Sequence, residues 1–202
     1  MVQRRKQENP HIFFKFIIVL AIVIGGSYFF IFNQNTIEEY TYDELNIKHD
    51  FLTKNPYSRP GLSLKKVKGI VVHYTANPGS SAINNRNYFE SLKDKKTTKA
   101  SSHFIIGIKG EIIQCIPLNE ISYASNNRNK DTISIECCHP DSSGQFTNAT
   151  YQSLQKLVKS LMQSYSLDKD DVIRHYDVTG KDCPRYFVTY PQKWDEFRDS
   201  LI

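Results

Sequence analysis

No internal repeat, no low-complexity stretch and no C-x-x-C pair occurs in the sequence. The first two absences exclude a solenoid or a disordered tract. Glycine and proline stay near background, with nine and eight residues among 202. A collagen-like or linker-dominated chain is therefore excluded. Four cysteines, at positions 115, 137, 138 and 183, are too few and too unevenly spaced for a dense disulfide framework. A dense basic stripe is also missing. The formal charge is +5, but Arg4, Arg5, Lys6 and Lys15 against Glu8 place +3 in the first fifteen residues and leave +2 for the rest. No nucleic-acid partner is expected from so mild an excess.

One long hydrophobic run is present. Residues 12–32 read IFFKFIIVLAIVIGGSYFFIF with Lys15 as the single charge. At about 1.5 Å per helical residue such a run spans a bilayer core of roughly 30 Å. The basic residues before it would stay in the cytoplasm. The sequence thus divides into a basic cytoplasmic tail (1–11), a transmembrane anchor (12–32), a tether and N-terminal segment (33–62) and a folded domain (63–202). The expected location is the cell membrane, single-pass, with the domain outside the cytoplasm. The alternative is secretion after signal cleavage near Gly25-Gly26-Ser27, although the apolar run continues past that point.

In the folded part, residues 68–75 (KGIVVHYT) are β-branched and apolar, a buried-strand pattern ended by Ala76-Asn77-Pro78-Gly79. Residues 81–92 suit a helix, with Ile83, Tyr88, Phe89 and Leu92 as candidate inward positions, and 93–99 form a basic loop. The runs 103–108 and 111–116 meet at Lys109-Gly110 as a hairpin. Residues 131–138 (DTISIECC) alternate as a strand. Thr147 is a candidate N-cap for a helix carrying Tyr151, Leu154, Leu157, Val158, Leu161, Met162 and Tyr165. Residues 172–175 form a short strand and 192–201 a terminal helix. This order implies an α/β fold, a mixed central β-sheet flanked by helices in one domain behind the N-terminal membrane helix.

His73 ends the first buried strand and His175 ends another. Cys183 follows on a loop that Gly180 and Pro184 can fold back. Strand ends meet at one sheet edge, where two imidazoles and a thiolate would leave a fourth position of a zinc site open to water. Spacing alone leaves a second reading open, two structural histidines with a disulfide or free cysteine. Strand alternation puts Glu136 on one face with Ser134 and Cys138, where a solvent-facing or salt-bridged role is also open.

The segments GIVVHYTANPG (69–79), SSHFIIGIKGEIIQCIP (101–117), DTISIECCHP (131–140) and VIRHYDVTGKDCPR (172–185), in this order, resemble the type 2 N-acetylmuramoyl-L-alanine amidases. The likeness covers about residues 55–200 and implies the fold shared with peptidoglycan recognition proteins. It implies Zn2+ held by His73, His175 and Cys183. It also implies Glu136 as general base, Lys181 as oxyanion stabiliser and peptidoglycan as substrate, and a monomer is expected. Ser102 stands where some members carry a tyrosine, and Tyr123 stands near a position where several relatives carry a histidine.

Asp177 is a candidate for orienting a ligand or for holding its own turn. Thr75, Asn77 and Arg86 are candidate sugar or peptide contacts. His103, inside a strand, is a structural or rim residue counted with them as a candidate substrate contact, and His139 is a candidate for lining the cleft. A pairing of Cys115 with Cys137 or Cys138 stays open. Two competing functions remain: a peptidoglycan receptor of the same fold without catalysis, and a zinc hydrolase cutting another bond of the wall peptide.

Overall fold

A computed structural model describes residues 45–202. Its centre is a six-stranded sheet. The strands are β1 (Ile47–His49), β2 (Ile70–Tyr74), β3 (Phe104–Ile106), β4 (Ile112–Gln114), β5 (Ile133–Cys137) and β6 (Val172–Arg174). Their spatial order is β1-β4-β3-β5-β2-β6. Every neighbouring pair is parallel except the β3–β4 hairpin, so the sheet is mixed, as the alternation of strand and helix patterns implied. Gly110 turns the hairpin at φ +84°. A Cβ there would approach Ser153 Oγ and the Ala149 carbonyl within 3 Å, so the turn requires glycine.

Helices cover both faces. They are α1 (Ala82–Lys95), α2 (Asn148–Tyr165), α3 (His175–Thr179), α4 (Arg185–Thr189) and α5 (Pro191–Asp199). Alternation along the strands sorts the core. Ile70, Val72, Phe104, Ile106, Ile133 and Ile135 meet Leu154, Leu157, Leu161 and Phe197 on one side. Ile105 and Ile113 meet Phe89 and Leu92 on the other. Each such aliphatic side chain, fully buried, stabilises the fold by about 1.5–3 kcal/mol. Ser81 and Thr147 cap α1 and α2 by accepting from the backbone N–H of Asn84 and Thr150.

Several sequence expectations change. Ile83 and Tyr88 point outward, and Ala82 and Asn85 join Phe89 and Leu92 on the inner face of α1. The helix runs on to Lys95 through part of the expected basic loop. His175 does not end a strand but opens α3, and α4 was not foreseen. No cysteine is in a disulfide. Neighbouring Cys137 and Cys138 alternate to opposite faces, Cys137 joining the core of α2 and Cys138 packing with Cys115 beneath α1.

The transmembrane helix expected over 12–32, with the single-pass membrane location and membrane partnership drawn from it, is corrected. Among the described residues no helix is long and apolar enough to cross a membrane, and residues 12–32 lie outside them. The 18-residue α2 is amphipathic, burying Leu154, Leu157, Val158 and Leu161 and exposing Gln152, so its apolar stripe serves the sheet. The fold is that of a mixed α/β domain alone.

Residues of the segment read as lying against the domain join it closely. β1 pairs with β4 at the sheet edge. The Arg59 guanidinium grips Glu120 through Nε and Nη2, both at 2.8 Å, and donates from Nη1 to the Leu52 carbonyl. The hydrogen bond and charge of Arg59 hold the Glu120 carboxyl below its ordinary 4.5, against the opposing effect of burial. A depressed carboxylate contributes stability that is present above its unfolded pKa and lost as pH falls through its folded one. Glu120→Gln should therefore cost about 1–2 kcal/mol at neutral pH, given side chains only 12–13% exposed. The deficit should shrink as the pH drops below 4.5. Urea denaturation of both proteins at pH 7 and pH 3.5 tests this, and a deficit independent of pH would reject it.

Candidate metal centre and cleft

Register builds the site. In the sheet, His73 of β2 is the direct partner of Glu136 of β5. On the other side of β2, the last pair is Val72 with Arg174. The next residue, His175, therefore arrives beside His73, their rings 4.7 Å apart edge to face. Three parallel strands thus deliver His73, Glu136 and His175 to one end of the sheet. Helix α1 packs against β3 and β4, and its Phe89 reaches this end of the sheet.

The turn after α3 returns Cys183 to the same place, its Sγ 3.8 Å from His73 Nδ1. The Tyr176 N–H donates to the Cys183 carbonyl and fixes that return. One ligand atom from each of His73, His175 and Cys183 falls within 4.8 Å of the others, and all three residues are buried. They line a cleft of about 380 Å³ with Glu136, Lys181, Tyr123, Asn126 and Lys99.

The surroundings of these side chains fit a cation. His175 Nε2 lies 2.9 Å from Asn126 Oδ1. A carbonyl oxygen only accepts, so His175 keeps its proton on Nε2 and presents a lone pair at Nδ1. That Nδ1 is buried without a partner. His73 Nε2 lies 3.1 Å from Ser125 Oγ, and its Nδ1 faces the Cys183 thiol.

Burial, with His175 and Lys181 nearby, holds the His73 imidazole well below its usual pKa. Burial and then Lys181 lower His175 as well. Both rings are therefore neutral, as ligands must be. Burial, with Glu136 close by, pushes the Cys183 thiol up to about 12, while the Tyr74 backbone N–H and Lys181 act the other way. A coordinated cation is what would release that proton. Two imidazole nitrogens and one thiolate are a zinc donor set with a position left open.

Glu136 is half-buried, yet its Oε2 is sealed from solvent and has no partner. Burial raises its pKa to about 8, and the Lys181 ammonium partly counters this.

The other sequence candidates lie elsewhere. Asp177 accepts from Arg174 Nε, Nη2 and backbone N, so it closes the first turn of α3 instead of touching a ligand histidine. Arg86 pairs with Asp50 and Glu90 and donates to the carbonyls of Asp50 and Phe51, anchoring the N-terminal segment to α1. His103 is fully buried between Ser134 Oγ and the Glu120 carbonyl. Burial lowers its pKa to about 4, against the opposing effect of the Glu120 carbonyl, and it does not reach the cleft. His139 is buried beside the Tyr74 ring, with Nδ1 on the Asp141 carbonyl. Thr75 and Asn77 follow β2 without lining the cleft.

Ser125 and Asn126, which orient the two histidines, carry no sequence signal beyond a run of small polar residues. Asn126 sits at φ +53°, a left-handed conformation that asparagine tolerates. Asn129 Oδ1 accepts from the N–H of Ala124 and Ser125 and pins this turn.

Asn126→Ala should weaken metal binding about 10–100-fold, the usual cost of losing a hydrogen bond behind a ligating histidine. Competition for Zn2+ with a chromophoric chelator measures it. Affinity unchanged in the variant would remove Asn126 from the site.

A family model described as N-acetylmuramoyl-L-alanine amidase matches residues 63–186. The N-acetylmuramoyl-L-alanine amidase CwlL of Bacillus licheniformis is 37% identical over 174 residues, which is 78% of this chain and 48% of that protein. BlyA of Bacillus subtilis, an amidase of the same name, is 35% identical over 76% of this chain and 46% of its own. This chain spans about half the length of the curated relatives it matches. The catalytic domain of the Bacillus subtilis amidase XlyA superposes with a TM-score of 0.66 at 31% identity, covering 78% of this chain and 99% of that domain. The matched stretch contains every member of the His–His–Cys triad, and the chain belongs to the N-acetylmuramoyl-L-alanine amidase family.

Proposed function

We propose that this chain hydrolyses the amide bond between N-acetylmuramic acid and L-alanine in peptidoglycan. The observation that carries the reading is the convergence of His73, His175 and Cys183 with Glu136 and Lys181 in one cleft. Family membership and the amidase names of the relatives supply the substrate bond.

Zn2+, when held by the triad, supplies Lewis acidity that lowers the pKa of water and polarises a carbonyl. The remaining work falls to side chains. Glu136 lines the cleft with a buried oxygen that has no partner, and in its carboxylate form, which the Lys181 ammonium favours, it accepts a proton from the attacking water. The same carboxyl then returns that proton to the departing L-alanine nitrogen. The Lys181 ammonium donates to the oxygen on which negative charge develops. Asn126 holds the His175 imidazole in the tautomer the site needs, and Ser125 steadies His73 through its Nε2. A receptor without catalysis would be expected to lack the third ligand, and Cys183 is in place beside His73.

Incubation of the full chain with peptidoglycan, followed by mass spectrometry, tests the proposal. Peptides with free N-terminal L-alanine should appear with Zn2+ and vanish after chelation. Glu136→Ala and Lys181→Ala should each lower the rate by about 10²–10³-fold. Bound zinc, measured by atomic absorption, should stay at the wild-type level in both. Cleavage at a different bond sinks the assigned substrate, and full activity in Glu136→Ala sinks its role as base.

A further inference from the structure

We propose that a second pocket, walled by Tyr151 and Tyr186, is a subsite for one N-acetylated pyranose of the glycan that carries the cut peptide. The choice of glycan rests on the function proposed above. The pocket itself does not.

It lies where the start of α2 meets α4 and α5 and has a volume of about 240 Å³. That is below the range of about 300–1,000 Å³ usual for drug-sized ligands, and it suits a single ring. Its base is preformed. Phe146 meets Phe187 edge to face at 5.6 Å, Tyr151 meets Phe197 at 5.4 Å, and Tyr190 backs Tyr186 at 5.0 Å. The wall therefore offers rigid aromatic surface without an ordering cost.

Its polar groups select the occupant. Lys193 and Glu196 pair with each other at 2.8 Å, so the pocket has no uncompensated charge to hold a phosphate or carboxylate. The amides of Gln145 and Asn148 line the opening, and among the described residues neither makes a side-chain hydrogen bond. Free amide donors and acceptors over aromatic walls match a neutral ring bearing hydroxyl and acetamido groups.

Position supplies the link to the reaction. Tyr186 follows Cys183 by three residues, so their Cα atoms are at most about 11 Å apart. The intervening Arg185 lies over the Tyr74 ring and donates to the Ser142 carbonyl, joining the cleft to the loop that leads to Gln145. A sugar chain leaving the cleft along this loop reaches the pocket within its second or third unit.

Chitotetraose, the N-acetylglucosamine tetramer, is the probe. Titration into the full chain with ring-labelled tyrosine should give saturable shifts at Tyr151 and Tyr186 by NMR. Tyr186→Ala should weaken binding about tenfold or more, whereas Tyr186→Phe, which keeps the ring, should stay within about threefold. The exposed pair Gln145→Ala/Asn148→Ala, which does not touch the core, should also lose about tenfold. Absence of binding, shifts confined to other residues, or unchanged affinity in the double variant would overturn the proposal. Should the amidase reading fail instead, amide cleavage would be missing while tetramer binding at the tyrosines persisted.

Discussion

The placement of β2 between β5 and β6 is the constraint on which the site depends. A parallel pair fixes which residues stand side by side, and a one-residue slip sends every side chain to the opposite face. The observed register seats His73 next to Glu136 and brings His175 alongside from the other flank. On the reverse face of the same strands, Ile70, Val72, Ile133 and Ile135 are fully buried against α2. A slip would drive those aliphatic residues toward the cleft and the histidine and glutamate into the core. Hydrophobic burial on one face thus enforces polar geometry on the other.

That geometry carries a thermodynamic cost in the ligand-free fold. Among the described residues six buried side-chain polar atoms lack a hydrogen-bond partner, and four belong to Thr75, Glu136, His139 and His175. All four lie at or just beyond the C-terminal ends of β2, β5 and β6. An unsatisfied buried group costs about 1–3 kcal/mol. Of these atoms Glu136 Oε2 and His175 Nδ1 belong to residues of the cleft, the pattern expected of a centre organised for a ligand and not for maximal stability. A cation at His175 Nδ1 satisfies one of these atoms directly.

The apolar periodicities were strong enough to reveal the sheet and its principal helices. β2, β5, the β3–β4 hairpin and α2 follow from β-branched runs, alternation, Lys109-Gly110 and a regular stripe after Thr147. The metal triad needed the family resemblance, because its members are scattered over more than one hundred residues. The inner face of α1 was misread because the helix covers only half of the sheet, where Asn85 fits by donating to Ser80 and Ser81, so Ile83 and Tyr88 are left outside. β1 was not legible, since three residues of mixed polarity at an edge carry no periodic signal. Arg86 and His103 resemble binding residues in a linear reading. Their partners, Asp50, Glu90, Ser134 and the Glu120 carbonyl, are 4 to 36 positions away and visible only once the chain is folded.

The edge strand has a practical consequence for anyone dividing this protein. The family match begins at residue 63, but β1 lies at Ile47–His49, and Leu52, Arg59 and Asp50 are tied into the body behind it. A fragment begun at the family boundary would strip β4 of its neighbour and leave a row of bare amide and carbonyl groups. Such an edge is a template for another copy of the same fragment. The upstream limit of the folded unit is therefore set by β1, ahead of the start of the family match, and a fragment starting at residue 45 keeps β4 paired.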